Sequence, residues 1–443
     1  VYKRCVSRRV LLAFILAPFS GCTAPASGIL QIVTGGENDT FSRAPAPVKL
    51  EVDSVNSSGA VHTLATAPLP ASTVDLGSVD DSAVGTLRVT GSDASGNRLV
   101  YGQSVPIQFG ALHGVTVPVF VQRSGEFARM PKPLSDARAT PTIAVLGGRY
   151  LFVGGGGDPA LSRATQLYDF AYLAPLGAPP SLPRAPKSVA FVGTIAWVID
   201  ENGATSFDFS EGVQADVVAP AGGSFGDIAG GATVTASDGT QYIVGATRAT
   251  GDPTKSVLTI DPAGNASWAT LSESRLGAAA SWVDGRGLVV VGGSDHAAGV
   301  EILGAGTRAG VPLSYPPDAS TGSGAATLDG QHVLLAGGET PMGQDAGARE
   351  IDLACNMGCA TTSWAALPAG LRLAPAQVFA SDPASALLVG DDPSGTTQVY
   401  RLTATTAVSI ATKVAHAGAR AVVSPVGSVV LFGGASEIES FVP

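Results

Sequence analysis

Seven short apolar runs, each stopping at a glycine, a glycine pair or an aspartate, recur along the chain at nearly constant spacing: residues 150–153, 195–199, 241–244, 288–291, 332–336, 386–389 and 429–432. Their last residues lie 46, 45, 47, 45, 53 and 43 positions apart. Repetition at such a period restricts the fold to a repeat architecture, either a propeller or a solenoid. Ordinary β-helix coils are much shorter than this period, which favours the propeller.

Companion segments within each unit sharpen the reading. About ten residues beyond the glycines comes a second strand-like piece, such as Gln166-Leu167-Tyr168-Asp169-Phe170, Leu258-Thr259-Ile260-Asp261 or Gln398-Val399-Tyr400-Arg401-Leu402. These pieces are β-branched, aromatic or alternating, as strands are. A third piece follows, clearest as Ser267-Trp268-Ala269-Thr270-Leu271 and Ser363-Trp364-Ala365-Ala366-Leu367, and another precedes the glycine run, as in residues 277–283. Four short strands per unit make one propeller blade. The last unit ends at Pro443 right after its third strand, and residues 126–131 share the frame of residues 363–368, with Phe127 in the place of Trp364. Those residues are expected to supply the missing fourth strand and so remove two open sheet edges.

The units resemble kelch repeats, in which a glycine pair ends the second strand, a Tyr-Asp-like third strand follows, and a Trp precedes the fourth strand with an Arg soon after. Here those are Gly292-Gly293, Tyr168-Asp169, Trp268 and Arg275, in a degenerate form of the pattern. The resemblance implies a seven-bladed β-propeller over residues 124–443. It also brings to mind kelch-like copper oxidases, whose site needs a Cys cross-linked to a Tyr and two His. The propeller carries only Cys355 and Cys359, and His296, His332 and His416 belong to different units, so no cofactor or metal is implied. Cys355 and Cys359 flank a short turn and are expected to form a disulfide, the ordinary fate of such a pair outside the cytoplasm.

Residues 1–21 read as an export signal: Lys3, Arg4, Arg8 and Arg9 precede the apolar stretch 10–17, which is too short to span a bilayer. The stretch closes in Phe19-Ser20-Gly21-Cys22, which resembles the lipobox of bacterial lipoproteins. That resemblance implies diacylation of Cys22, a tether over residues 22–27 and an outer-membrane or cell-surface location; cleavage near Ala24 or Ala26 is the alternative. Between tether and propeller, residues 28–122 hold about seven strand-like segments. The segment at 48–53 alternates cleanly between apolar and charged residues, so one face is buried and the other wet. The expectation is a small immunoglobulin-like β-sandwich acting as a spacer.

Removal of residues 1–21 takes away four basic and no acidic residues, so the formal charge moves from −10 to −14. This argues against nucleic acid, whose recognition usually rests on a basic surface. Two function classes stay open. One is a binding or scaffold lipoprotein whose propeller presents loops to a protein, peptide or glycan. The other is a cell-surface hydrolase or lyase that draws acid/base carboxylates from Asp158, Asp200, Glu201, Asp295, Glu339, Asp391 and Asp392, all of which follow second strands. In the binding reading, Arg138, Arg184, Arg275, Arg372 and His416 recur 16 to 18 residues before the first residue that follows the apolar run, while Ile228 and Ser320 fill that place in units three and five. If they gather at one mouth of the channel, they form a basic site for an acidic peptide or carboxylated glycan, because guanidinium pairs with carboxylate in bidentate geometry. The competing reading makes each of them a brace for its own turn.

Overall fold

The computed structural model describes residues 28–77, 83–112, 114–177, 179–246, 251–296 and 298–443. The signal segment, Cys22 and His113 lie outside the described residues. Seven four-stranded antiparallel sheets follow one another around an axis, each a blade. Each apolar run is the second strand of its blade; Gly287–Val291, for example, lies between Ala279–Val283 and Val300–Leu303. Continuous apolar runs are what such a position demands, because a second strand packs against neighbouring blades on both faces. All five residues of Gly287–Val291 are buried.

The seventh blade draws on both ends of the propeller. Arg420–Val423, Val429–Phe432 and Glu439–Phe441 are completed by Phe127–Arg129, with Phe441 opposite Phe127 and Glu439 opposite Arg129. The Phe127 and Phe441 rings meet 5.3 Å apart inside a shared apolar cluster.

The glycine pairs have a local cause. Gly292 and Gly293 sit at φ 77° and 73°, Gly337 and Gly338 at 66° and 81°, a region closed to most side chains. A Cβ on Gly293 would also lie 2.6 Å from the Leu276 carbonyl oxygen. Each pair therefore turns the chain where it passes against the loop entering the first strand. In the first blade the left-handed pair is Gly155-Gly156, with Gly154 still the last strand residue.

The N-terminal region departs from the expected sandwich. Its strands form one continuous curled sheet in the order Val61–Ala67, Lys49–Asn56, Val84–Ser92, Arg98–Gln103, Thr116–Arg123, Ile29–Val33, Thr73–Asp75, with Ile107–Gln108 added beside Val84–Ser92. This is a nearly closed, barrel-like sheet around a single core of Leu30, Leu50, Val52, Leu87, Val89 and Val121. Alternation along the strands dictates one wet and one buried face, and a curled single sheet meets that demand as well as two stacked sheets do.

The region is also no free-standing spacer. Val105 and Phe120 share an apolar cluster with Met130, Tyr168, Phe170 and Phe432 of the propeller. Gln122 donates to the Ser440 carbonyl at 3.0 Å. Arg123 donates to the carbonyls of Thr40, Arg43 and Pro45, which holds the 34–46 loop beside the closing strand.

Candidate functional site

The blades enclose an axial cavity of about 840 Å³. Its wall combines apolar side chains (Ile143, Val189, Phe191, Phe379) with Thr233 and Gln377 from the first strands, and Lys187 and Arg420 are the charged residues among its described lining. Lys187 pairs with Glu201 at 3.4 Å, and Arg420 with Asp391 at 3.0 Å. The lining Gln377 also ties neighbouring blades together, its amide bonding to both backbone groups of Ala421, and between blades four and five Ser281 and Thr327 share a 2.7 Å hydroxyl contact. The cavity is thus open space bounded by side chains that are partly committed to holding the ring.

None of the five recurring basic side chains is among the residues that line it. Arg138 is fully buried; it grips Asp136 in bidentate fashion at 2.7 and 2.6 Å and donates to the carbonyls of Gly155 and Ala164. Arg275 is equally buried and donates to Gly292 and Ala298 at 2.8 Å each while pairing with Glu301 at 3.1 Å. His416 repeats the pattern, with Nδ1 2.7 Å from the Gly433 carbonyl and Nε2 3.3 Å from Glu439. In all three the acceptor is a turn glycine 17 residues downstream. The recurrence that spacing disclosed is therefore one device: a basic side chain satisfies the carbonyl that a left-handed glycine leaves pointing inward. A buried carbonyl without a partner is costly, and these three side chains have no surface for a ligand.

Arg184 and Arg372 differ. Arg184 bonds Thr205 at 2.6 Å and pairs with Asp200 and Asp216, remaining about a quarter exposed. Arg372, a third exposed, pairs with Glu339 and donates to the Gly343 carbonyl. In unit five the brace is Arg349, from the third strand: it pairs with Asp318 and donates to Ser320 and the Ala346 carbonyl. Burial pushes the Asp318 carboxyl up, but the Arg349 charge and the Ser320 hydroxyl outweigh it and hold it below the ordinary carboxylate range. Ile228, at the same place in unit three, is simply core. Arg349, Glu301 and Glu439 escaped the sequence reading, although an acid in the second position of an otherwise buried third strand, as in Val300-Glu301-Ile302, was the available signal.

The carboxylates after the second strands are engaged in turns. Asp158 caps a short 3-10 helix through the Ala160 amide. Asp200 accepts from the amides of Asn202 and Gly203 as well as from Arg184. Asp391 accepts from Thr397 at 2.7 Å. Asp392 binds Ser394 and Thr396 and, chiefly through the Ser394 hydroxyl, is held below the usual carboxylate range. Asp295 lies 3.3 Å from the exposed His296 ring. The carboxyl pushed upward belongs elsewhere: burial raises Asp345, whose Oδ1 is enclosed without a hydrogen-bond partner.

The Cys355–Cys359 disulfide is formed, with Cα atoms 5.8 Å apart. It closes a loop that reaches the fourth blade, where Ser314 accepts from the Cys359 amide at 3.2 Å and donates to Asn356. His62 is exposed on its strand, and His332 opens the second strand of blade five with its ring 2.9 Å from Asp329.

No family model matches the chain, and no curated protein sequence matches it. Solved structures similar in fold include a chain of the mitotic checkpoint complex, 13% identical with a TM-score of 0.47, covering 72% of this chain and 94% of the other. The N-terminal domain of Nup159 is 10% identical with a TM-score of 0.41, covering 71% and 94%. A quinonprotein alcohol dehydrogenase-like protein from Bacteroides thetaiotaomicron is 10% identical with a TM-score of 0.45, covering 88% and 94%.

Proposed function

We propose that this chain is a binding or scaffold module of the cell envelope, a lipoprotein anchored through Cys22 whose kelch-type propeller receives a protein partner. One observation carries the choice of binding over catalysis: the loop carboxylates that acid/base chemistry would need are bonded to their own turns or to neighbouring cations. A general acid or base must be free to reach the proton it transfers. The disulfide supports an oxidising location, and the tripartite signal with Cys22 supports the lipid anchor.

Within this reading, the acidic-peptide or glycan class of ligand rests on four cations with surface left: Arg184 and Arg372 on the loops, Lys187 and Arg420 in the cavity wall. The test uses the full-length protein in its native envelope with a photo-crosslinking residue at Thr233, in the cavity wall, or at Thr362, on the outer edge of blade five. Adducts with one protein from Thr233 and none from Thr362 are expected. Turnover of envelope peptide or glycan by the purified protein, with no adduct from Thr233, would overturn the reading.

A further inference from the structure

A chain built of sheets has to dispose of every sheet edge, because an outer strand with unpaired backbone groups is a template for another strand. Each blade ends outward in its fourth strand, and six of the seven are blunted. Ala174–Pro175, Val311–Pro312 and Thr362–Ser363 span two residues each, and proline occupies two of them. Ala407–Ser409 has three residues. Ala266–Arg275 is long, but residues 308–310 of blade four lie along it: the Thr270 amide donates to the Arg308 carbonyl and the Gly310 amide to the Thr270 carbonyl, both at 2.9 Å. Phe127–Arg129 is covered by the N-terminal region, where the Gly36 amide donates to the Arg129 carbonyl. In the N-terminal sheet the two edges, Val61–Ala67 and Thr73–Asp75, approach each other where the curl nearly closes.

The exception is the outer strand of blade two, Val213–Val217. It has five residues with neither proline nor lysine, and the first four are exposed. Val213 is 57% exposed, and Val218, just past the strand, 88%. Its backbone is paired with Gly203–Asp208 on one side only. The strand also reads almost alike from either end: Val213, Ala215 and Val217 share one face, Gln214 and Asp216 the other.

We propose that this edge is a contact between two copies of the chain, which pair Val213–Val217 antiparallel about a two-fold axis at Ala215 and join two four-stranded blades into one continuous sheet. Such an axis keeps each face of the sheet continuous only if it passes through a residue position, since opposed residues must point the same way. Centring on Ala215 sets Val213 against Val217 and Gln214 against Asp216, each twice, and brings Gly212 opposite Val218. Pairs of β-branched residues, and an amide beside a carboxylate, are favourable cross-strand neighbours. Centring on Asp216 would oppose two carboxylates, which is destabilising. Centring on Gln214 would set Glu211 against Val217. The Asp216 side chain is 84% exposed and meets Arg184 at 3.3 Å, so it keeps accepting capacity for Gln214 of the second copy.

Cysteine substitutions in the full chain test both the contact and its register. Directly opposed residues stand about 4.5–5.5 Å apart between Cβ atoms and diagonal ones about 7–8 Å, and only the closer spacing lets a disulfide form. Purified Ala215→Cys should therefore oxidise to a dimer bridged at position 215, located by peptide mass spectrometry, and Gln214→Cys should not. Mixing Gln214→Cys with Asp216→Cys should give the mixed disulfide. In the wild type, amide hydrogen exchange at 213–217 should slow as protein concentration rises, with Gly287–Val291 in blade four unaffected. Bridging of Gln214→Cys as readily as Ala215→Cys, bridging of neither, or exchange at 213–217 independent of concentration would overturn the proposal. So would oxidation in the native envelope that joins Ala215→Cys to a different protein and leaves no bridge between copies.

Discussion

Replacing Arg275 by Met separates the brace from the ligand-contact reading. The guanidinium makes two 2.8 Å bonds to carbonyls and a 3.1 Å ion pair with Glu301, and neither side chain of that pair has any exposed surface. Breaking a buried pair from one side strands the other charge and costs about 3–5 kcal/mol. Glu301 keeps one donor, the Ser272 amide, which places the loss toward the lower end. At the propeller's size each kcal/mol is worth roughly 1.5 °C of melting temperature, so a fall of about 4–7 °C is expected by calorimetry or circular dichroism. The double variant Arg275→Met, Glu301→Leu should recover much of that fall, because a buried ion pair exchanged whole for apolar groups is often neutral; the residue left would measure the abandoned carbonyls of Gly292 and Ala298. Arg184→Ala is the control. Its side chain is about a quarter exposed and its partners Asp200 and Asp216 both keep water access, so its loss should be smaller than that of the fully buried pair. A change of less than 2 °C in Arg275→Met, or a double variant worse than the single, would refute the reasoning.

Deleting residues 438–443 removes the strand that Phe127–Arg129 pairs with and exposes Phe127; the whole propeller should lose its cooperative melt, and an unchanged transition would show that the ring does not depend on this seam. Asp345→Asn should stabilise at neutral pH, because burial raises this carboxyl and its Oδ1 is unpaired: the charged form is disfavoured in the fold, so the gain in melting temperature should shrink as pH falls and the native carboxyl takes up its proton. Reducing the Cys355–Cys359 bond, sequence separation 4, should cost about 2 kcal/mol on chain-entropy grounds and leave the other blades' hydrogen exchange unchanged. Cys22→Ala should move the protein from the detergent-rich membrane fraction to the soluble one; a wild type recovered soluble, with its N-terminus beyond Cys22, would remove the anchor.

What the sequence disclosed is what repetition amplifies. A single run such as Leu288-Val289-Val290-Val291 is ambiguous between strand and buried helix, whereas seven at one period are not. The curl of the N-terminal sheet was beyond such reasoning. Alternation in Lys49–Asn56 tells which residues are buried, not whether the opposing surface belongs to a second sheet or to the same sheet bent round. Its docking on the propeller was equally silent, because Phe120 and Gln122 lie on the face that alternation marks as outward, and only the fold brings Ser440 to meet them.

The cations show the same limit at the level of single residues. Spacing placed Arg138, Arg275 and His416 at one structural position, and in the structure each meets the carbonyl of a glycine 17 residues on. Spacing does not report the direction of a side chain, and here direction decides between surface and interior. A turn glycine with positive φ points its carbonyl into the blade, where water does not reach, so some donor must follow it in. In a strand-rich chain whose charged residues make up 14% of the sequence, a basic side chain in the preceding loop is the nearest such donor, and it in turn is met by an acid: Asp136 at the edge, or Glu301 and Glu439 in the interior. The glycine turn, the upstream basic side chain and the acid that meets it are therefore successive consequences of one tight turn. A ligand for this protein has to be sought among the groups that this sequence of demands leaves exposed, in the cavity wall and on the loops that carry Arg184 and Arg372.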